Sequence, residues 1–294
     1  MTDIAIGRLG LDDVPAAGAV LDAAFGRQGM IGPLSYVYVL QPENCVCARL
    51  DGAVVATVGA YCYGPFASIG MMAVRPDVLC QGLGRRLMAY LIEYLAGQGY
   101  AALCLEASAA GAHLYPKLSF LPGGQTLRMS RPAPSADANG PLAGRPAPPT
   151  PPAVTLRTFT PADLPAVVAY DGRVFGLARP AVLRSYHARQ PQRCFVALDT
   201  AGAVAGYIIA GTSTLGSWMA GSVAIAEALL RTALALPFDS GPRLTLPAQN
   251  GDGLALLARY GFVATETLTH MRLGGDGDPR QHGQYYAQAS PGLG

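Results

Sequence analysis

A glycine-rich turn followed by a helical pattern is the part of this sequence best suited to chemistry. Gly82 and Gly84 remove side chains where the backbone must turn tightly or approach a ligand. The helix that follows would present unpaired N–H groups and a partial positive charge at its N-terminus. Arg85 and Arg86 add positive charge in its first turn. These features predict an anion site that suits a pyrophosphate group.

The elements that position this turn follow from the apolar pattern. A strand-like run covers 68–74 and ends shortly before the turn. Leucines at every fourth position predict a helix over 83–96, and a further strand-like run covers 101–107. A short helix ends near Phe120, and Pro116 predicts that this helix begins late or kinks. The turn is therefore expected between a strand and an amphipathic helix.

The N-terminal part of the chain has the pattern of a strand, helices and a hairpin. Residues 4–9 are strand-like, and Asp12 or Asp13 can cap the helix that follows. Apolar runs on both sides of Asp51 and Gly52 predict a β-hairpin. This mixture predicts an α/β fold whose sheet is largely antiparallel at its start.

The two halves of the chain look like copies of one another. Residues 4–26 align on 154–176 without a gap, and 45–56 and 114–120 match 194–206 and 256–262 in the same order. The coincident residues of the first pair are Asp13 and Asp163, Pro15 and Pro165, Phe25 and Phe175, and Gly26 and Gly176. Matching apolar patterns in the same order predict one fold built twice.

Composition sets the expected domain boundaries. The chain of 294 residues is long enough for two domains of ordinary size. Residues 132–153 are dense in Pro, Ala and Gly, which predicts a linker. We expect one domain over 1–131, a second over 154–275, and a polar, Gly-rich C-terminal tail over 276–294.

Composition and charge also exclude several classes of protein. Hydrophobic residues make up 51% of the chain and charged residues 14%, which excludes a disordered, solvating chain. The net charge is only +2, with 21 basic and 19 acidic residues. Such a balance implies no positive electrostatic field that would attract nucleic acid. Apolar runs are too short for a membrane span, and the N-terminus lacks the basic and apolar stretches of a signal peptide.

The cysteines and histidines indicate a compartment and argue against a metal. The six cysteines match no zinc pattern, and all but Cys80 lie in strand-like apolar runs. Buried free thiols predict a cytoplasmic protein. The four histidines show no ligand spacing, so we expect no metal site.

One combination of segments resembles a known family. Val74, Pro76 and Asp77 form a V-x-P-D motif, which is followed after four residues by Gly-Leu-Gly, an amphipathic helix, a strand, and LYPKLSF at 114–120. This order resembles the GNAT superfamily of acyl-CoA N-acetyltransferases over 4–131, and more loosely over 154–274. The resemblance implies two tandem GNAT-like domains, each with a mixed, largely antiparallel twisted sheet flanked by helices. It also implies acetyl-CoA as co-substrate.

The resemblance assigns a coenzyme A site to the turn and to the strand before it. The residues that would wrap the pyrophosphate are Gln81, Gly82, Leu83, Gly84, Arg85 and Arg86. The turn departs from the family pattern at Leu79 and Cys80, where the family usually has Arg or Gln and then Gly. An amide of Met72, Ala73 or Val74 would polarise the thioester carbonyl.

Two residues are candidates for acid–base chemistry, the first of them through the resemblance. Tyr115 lies where the family has its general-acid tyrosine, and a phenol with a pKa near 10 stays protonated at neutral pH. Glu106 ends the strand-like stretch AALCLE, where a carboxylate can take the proton of an attacking amine, directly or through water. Packing alone would also explain Tyr115, and a strand-end charge would explain Glu106.

The second copy lacks these features. Residues 212–230 contain no G-x-G turn and no basic residue, and Leu257 stands where Tyr115 stands in the first copy. The stretch 223–236 is apolar on nearly every side, which predicts a buried helix. We therefore expect coenzyme A to bind once per chain, in the first half. The second half would shape the acceptor site or a homodimer interface.

The sequence thus favours an acetyl-CoA-dependent N-acetyltransferase that acts on a small-molecule amine by direct attack. The acceptor would meet the loop between the first two helices, where Phe25, Arg27 and Gln28 lie. Arg27 suits the carboxylate of an amino acid-like acceptor, or is simply a solvated arginine. The alternative function is a non-catalytic acyl-CoA-binding or assembly module. A Rossmann site is excluded because the glycines come after a hairpin rather than after the first strand.

Overall fold

The computed structural model describes residues 4–132, 154–275 and 280–293. The predicted linker over 132–153 lies outside these ranges apart from its first residue. The described chain divides into two compact units, each built from more than one segment. Unit 1 consists of 4–123, 269–275 and Leu293; unit 2 consists of 124–132, 154–268 and 280–292.

Unit 1 begins with a run of helices and strands in the predicted order. These elements are β1 (Ile4–Arg8), α1 (Val14–Phe25), α2 (Ile31–Leu40), β2 (Cys45–Leu50), β3 (Ala53–Tyr63), β4 (Phe66–Val74), α3 (Leu83–Gly97) and β5 (Ala102–Ala107). A short 3₁₀ helix, Tyr115–Leu118, follows β5. Pro116 lies in its first turn, where the missing proline N–H costs no hydrogen bond.

The remaining elements begin with a strand whose residues from 124 onward belong to unit 2. They are β6 (Leu121–Ser130), β7 (Thr155–Thr158), α4 (Leu164–Phe175), α5 (Pro180–Arg189), β8 (Cys194–Leu198), β9 (Val204–Ala210), β10 (Leu215–Ala220), α6 (Val223–Leu234), β11 (Arg243–Pro247), α7 (Gly251–Arg259), β12 (Val263–Leu273) and β13 (Tyr285–Ala287). The α/β class predicted from the sequence is confirmed.

The sheet of unit 1 is mixed. Strands β1 to β4 pair antiparallel in chain order, and β5 joins β4 in parallel. The outer edge of β5 pairs antiparallel with the end of β12, from Thr269 to Leu273. Helix α3 covers one face, and its predicted apolar stripe is confirmed: Leu83, Leu87, Leu91 and Leu95 are all buried in the core.

Unit 2 repeats part of this plan. Strands β7, β8, β9 and β10 pair antiparallel in order, and β13 pairs with the outer edge of β10. Strand β6 pairs antiparallel with β11, from Thr126 to Ser130. The core lies between the sheet and α6, and Met129 of β6 is part of it.

Each unit therefore takes a strand from the other half of the sequence. The end of β12, from the second repeat, completes the sheet of unit 1, and Met271 on this strand is buried in the core of unit 1. Most of β6, from the first repeat, belongs to unit 2. Sequence boundaries at 131 and 154 divide the repeats but do not divide the units. Strand pairing across such a separation leaves no local pattern.

Three local expectations can be compared with the structure. The hairpin turn is present: Asp51 and Gly52 have φ of +49° and +84°, as a two-residue turn between twisted strands requires. Asp13 does not cap α1 with its side chain; its carboxylate accepts from the Gly10 N–H at 3.0 Å and pairs with Arg49. The segment expected to be a polar tail instead supplies the buried strand β13.

Five of the six cysteines are buried free thiols, and Cys80 is exposed. Burial raises the pKa of Cys45 and of Cys194 to about 12, so these thiols are poor nucleophiles. Over the described ranges, none of the helices combines the length and the apolar character needed to cross a membrane.

Candidate acyl-CoA site

An opening between β4 and β5 forms the centre of the candidate site. The two strands pair in parallel only from Phe66 and Ala102 to Ile69 and Leu105. Both strands continue beyond this point, so they part like a fork. We call this opening, between 70–74 of β4 and 106–107 of β5, the unit 1 fork.

A β-bulge in β4 lies directly at the fork. Gly70 pairs with Gly59 and Ala73 pairs with Thr57, so two residues of β4, Met71 and Met72, face a single residue of β3. Met71 has φ of +53°, a conformation uncommon outside glycine. A bulge of this kind bends its strand. Met72, Ala73 and Val74, which the sequence predicts near the thioester, follow Met71 along the β4 side of the opening.

The predicted turn leads from β4 into α3. Gly82 is the N-cap of α3 with φ of +72°, and no side chain caps this end of the helix. Arg85 and Arg86 are exposed in the first turn, and Gln81 is exposed just before it. The turn thus carries an open, positively polarised helix end with two cations beside it.

Gly84 is the point where three segments of the site meet. A Cβ at Gly84 would lie 3.0 Å from Met72 Cε, 3.4 Å from Val74 Cγ2 and 3.8 Å from Leu114 Cδ2. The first turn of α3 is therefore packed against the end of β4 and against the segment that leads into Tyr115. Glycine allows this close approach because it has no side chain.

Tyr115 lies beside the loop that follows β5. A Cβ at Gly111 would be 3.6 Å from the Tyr115 hydroxyl and 3.7 Å from Ser108 Oγ. Tyr115 is 8% exposed, and its ring packs edge-on against Phe120 with centroids 6.0 Å apart. Burial raises the pKa of this phenol to about 12, which keeps it in the protonated form.

Glu106 is the first residue of β5 beyond the last partner of β4. Its carboxylate Oε1 lies 3.1 Å from Nδ1 of His270, and both side chains are nearly buried. His270 is not among the site residues predicted from the sequence. No local signal could have found it, because His270 reaches Glu106 only through the pairing of β5 with β12.

The predicted acceptor loop is short, because α1 ends at Phe25 and α2 begins at Ile31. Asp22 holds the loop: its Oδ1 accepts from the Met30 N–H at 2.8 Å. Phe25, Arg27 and Gln28 are exposed, and the Arg27 guanidinium lies 5.9 Å from the centre of the Phe25 ring. Within the described residues, no hydrogen bond or ion pair joins this loop to the fork.

The turn passes a structural test for a bound pyrophosphate. An anion at this helix end would meet N–H groups that no side chain caps, and Gly82 has no side chain of its own to hinder its approach. Leu79 and Cys80 are exposed and apolar, so contacts to phosphate would come mainly from backbone amides and from Arg85 and Arg86. The residues present therefore fit coenzyme A.

Unit 2 has a corresponding opening, but a strand fills it. Thr214, just before β10, forms one isolated parallel bridge with Arg243, the first residue of β11. Beyond it, β13 pairs with β10, and the Gln288 N–H donates to Thr245 O of β11 at 2.8 Å. The packing is tight, since a Cβ at Gly216 would lie 2.0 Å from Gln288 O. The chain itself therefore occupies the place that corresponds to the unit 1 fork.

The helix that follows β10 is also closed at its N-terminus. Ser222 caps α6 and accepts from the Ile225 N–H at 3.3 Å, whereas α3 has no such cap. The predicted burial of α6 is confirmed for most of its apolar residues. Leu257, the counterpart of Tyr115, is fully buried in the core of unit 2.

A substitution in β13 would partly open the place in unit 2 that corresponds to the unit 1 fork. Tyr286 of β13 lies against Trp218 of β10 with ring centroids 5.0 Å apart. We expect Tyr286→Ala to lower the free energy of unfolding by about 3–4 kcal/mol, because it leaves a large cavity. Urea unfolding measures this loss. Coenzyme A stoichiometry should not increase, and a second site in this variant would contradict the contrast drawn between the two helix ends.

Substitutions in the turn should weaken coenzyme A binding by about tenfold, or ~1.4 kcal/mol. Gly82→Val forces a β-branched residue to φ of +72°, and Gly84→Val pushes against Met72 and Val74. Calorimetry measures the affinity. Gly97→Val, at the other end of α3, is the matched control, since its Cβ would meet no atom within 4 Å. Equal affinity in Gly82→Val and Gly97→Val would exclude the turn as the site.

Two family models match the chain. Residues 20–120 match a model described as the acetyltransferase (GNAT) family, and residues 167–287 match one described as an acetyltransferase (GNAT) domain. Together they cover most of the chain, once in each half. The chain belongs to the GNAT family and carries two GNAT domains in tandem. The resemblance stated from the sequence is confirmed.

Solved structures with the same fold agree. A candidate acetyltransferase from Pyrococcus horikoshii has a TM-score of 0.81 and 22% identity, covering 99% of this chain and 96% of that chain. A GCN5-related N-acetyltransferase from Sphaerobacter thermophilus has a TM-score of 0.68 and 18% identity, covering 95% and 98%. A tandem GNAT protein from the clavulanic acid biosynthesis pathway has a TM-score of 0.61 and 19% identity, covering 94% and 100%. Comparison with curated proteins gave no significant match.

Proposed function

We propose that this chain is an acetyl-CoA-dependent N-acetyltransferase whose chemistry takes place in unit 1. One observation carries the proposal: the unit 1 fork is open beside an uncapped helix end, whereas β13 fills the corresponding opening of unit 2. The GNAT family to which the chain belongs supports acyl-CoA-dependent N-acetyl transfer in general. The acceptor class and the assignment to unit 1 are the new elements.

The residues along the fork and the turn have distinct roles in this proposal. Backbone amides of 82–86, with Arg85 and Arg86, hold the pyrophosphate of coenzyme A. An amide of Met72, Ala73 or Val74 donates to the carbonyl oxygen and stabilises the negative charge that develops there. The co-substrate supplies an activated thioester, so no metal is needed for its chemistry.

Two side chains move protons. Glu106, at the start of the fork, takes the proton that the acceptor amine must lose before it attacks directly. Tyr115 supplies a proton to the departing thiolate sulfur. Because burial raises the pKa of Tyr115 to about 12, the phenol retains this proton across the physiological range.

The proposed acceptor is a small-molecule amine, and an amino acid-like one suits the loop after α1. Arg27 is exposed over the Phe25 ring, and no carboxylate pairs with it among the described residues. A free guanidinium can bind an acceptor carboxylate with two hydrogen bonds. Free thiols throughout the described chain support action in the cytoplasm. Unit 2 would shape the acceptor site or a homodimer interface.

The alternative is a GNAT protein that binds acyl-CoA without transferring the acyl group. The exposed apolar residues Leu79 and Cys80 in the turn favour it, because they replace residues that usually help to hold the cofactor. Release of free thiol from acetyl-CoA, measured for the full chain across a panel of amines and amino acids, separates the two functions. Calorimetric titration with coenzyme A gives the stoichiometry.

The expected outcome is one coenzyme A per chain and thiol release that depends on the amine. Arg27→Ala should raise KM for acceptors that carry a carboxylate and leave KM for simple amines unchanged. Binding without thiol release for any amine would support the alternative. Two sites per chain, or protection of 212–231 by coenzyme A, would contradict the assignment to unit 1.

A further inference from the structure

The pair formed by Glu106 and His270 lies at a special place in the sheet of unit 1. Glu106 immediately follows Leu105, the last β5 residue that pairs with β4. On the opposite edge of β5, Glu106 is the direct cross-strand partner of His270. The carboxylate thus stands at the start of the fork, with an imidazole beside it on the strand away from the opening.

The contact has a defined polarity. His270 Nδ1 and Glu106 Oε1 are 3.1 Å apart, and the two side chains are 6% and 4% exposed. An ionised carboxylate can only accept hydrogen bonds. The base role proposed for Glu106 requires the ionised form, and that form places the proton of this bond on Nδ1 of His270.

Two further polar side chains lie on the same face of the sheet as the pair. On the same face, Cys104 is the β5 neighbour of Glu106, and Arg272 is the β12 neighbour of His270. Gly123 allows both β12 side chains to pack closely, since a Cβ there would lie 3.3 Å from His270 Cδ2 and 3.2 Å from Arg272 Nε. Strand β4 carries no titratable residue, and Leu103 and Leu105, on the opposite face of β5, belong to the same buried core as α3.

We propose that His270 is a positioning residue for Glu106 in the acyl transfer of unit 1, a role that rests on the proposed function. The Nδ1–H of His270 holds Oε1, which leaves the second carboxylate oxygen to take one proton from the acceptor ammonium. The neutral amine then forms the C–N bond as the C–S bond breaks, and the nitrogen releases its second proton to solvent. The sulfur gains a proton from Tyr115, and the proton on Glu106 passes back to Tyr115 through solvent, so the cycle closes.

This role explains why the first repeat depends on the second. His270 belongs to the second repeat and reaches the fork only because β12 completes the sheet of unit 1. A repeat that has lost its own opening would then still supply one residue to the chemistry of the other. Selection on that residue would retain the second domain independently of any binding of its own.

Two substitutions in the full chain test the role. His270→Leu removes the donor, and His270→Asn keeps an N–H donor near the position of Nδ1 without a titratable ring. We expect His270→Leu to lower kcat roughly tenfold to 100-fold, with KM for acetyl-CoA unchanged, and His270→Asn to retain most of the wild-type kcat. Equal kcat in both variants, whether normal or low, would overturn the proposal.

The pH profile separates positioning from simple packing. Only the leucine removes the hydrogen bond to the carboxylate of Glu106. The acid limb of the pH profile of kcat/KM should therefore move in His270→Leu and stay in place in His270→Asn. An unmoved limb in His270→Leu would overturn the proposal.

A matched control is available in unit 2. His187 is also buried, with Nε2 3.0 Å from Phe159 O, and it lies outside the proposed machinery. His187→Leu and His187→Asn should change thermal stability while both keep the wild-type pH profile. Thermal unfolding of the His270 variants shows in the same way that they remain folded.

One readout does not require turnover. ¹⁵N chemical shifts of the labelled full chain report which imidazole nitrogen carries the proton, and the His270→Asn spectrum assigns the signal. We expect the Nδ1–H form for His270 at neutral pH, whereas an Nε2–H form would overturn the proposal. If the wild type transfers no acetyl group but shows the Nδ1–H form, the proposed function fails and the geometry assigned to the pair stands.

Discussion

Tyr115→Phe should lower turnover roughly 100-fold and leave the affinity for acetyl-CoA close to that of the wild type. The substitution removes only the hydroxyl that would protonate the departing thiolate. The ring remains, and with it the edge-on contact with Phe120, whose centroid is 6.0 Å away. Steady-state kinetics with the preferred amine measure turnover, and calorimetry measures affinity.

A control in unit 2 tests whether a lost buried hydroxyl alone explains the effect. Burial raises the pKa of Tyr186 to about 12, as it does for Tyr115, and its hydroxyl donates to Ala289 O at 3.1 Å. Tyr186→Phe should leave turnover unchanged. Wild-type turnover in Tyr115→Phe would assign Tyr115 to packing, and water would then protonate the thiolate.

The same burial fixes a dependence on pH. The pKa of Tyr115 rises from 10.0 in the unfolded chain to about 12 in the folded chain. The folded state therefore holds this proton more tightly than the unfolded state. The contribution of the protonated phenol to the free energy of unfolding is complete below pH 10 and is lost as the pH rises through 12. The pH dependence of the free energy of unfolding should differ most between wild type and Tyr115→Phe in this alkaline window. A loss of activity below pH 10 would have a cause other than ionisation of Tyr115.

Local signals in the sequence accounted for the elements around the turn. Leucines at every fourth position identified α3, and Asp51 with Gly52 identified the hairpin, because both patterns are set by backbone geometry within a few residues. Gly82 was singled out for a tight turn, and it adopts the left-handed conformation that a β-branched side chain resists. These features could be predicted because each is set by residues close together in the sequence.

The parts that could not be predicted depend on contacts between distant segments. His270 meets Glu106 only through strand pairing. Strand β13 fills the opening of unit 2, although the composition of its segment predicts a polar tail. Hydrogen bonds between strands involve backbone groups that every residue carries, so the choice of partner strand leaves little trace in residue type. The acid–base pair therefore becomes visible only in the folded unit.

The exchange of strands leads to the second large expected effect. A protease site placed within 133–153 allows the folded chain to be cut between the repeats. We expect the two pieces to stay together through gel filtration and to keep binding coenzyme A. The uncut chain with the same inserted site is the control. Pieces that separate under native conditions would contradict the assignment of β6 and β12 to the opposite units.

Either repeat, expressed alone, should fail to fold into a soluble unit that binds coenzyme A. Residues 1–131 lack the end of β12, which would expose the outer edge of β5 and remove Met271 from the core of unit 1. Residues 154–294 lack β6, which would expose β11 and remove Met129 from the core of unit 2. We therefore expect either fragment alone to aggregate or to show no coenzyme A binding, and co-expression to restore both solubility and one site per pair. Full affinity for coenzyme A in isolated 1–131 would show that unit 1 folds without the strand that carries His270. The dependence of the first repeat on the second would then have to arise outside the sheet.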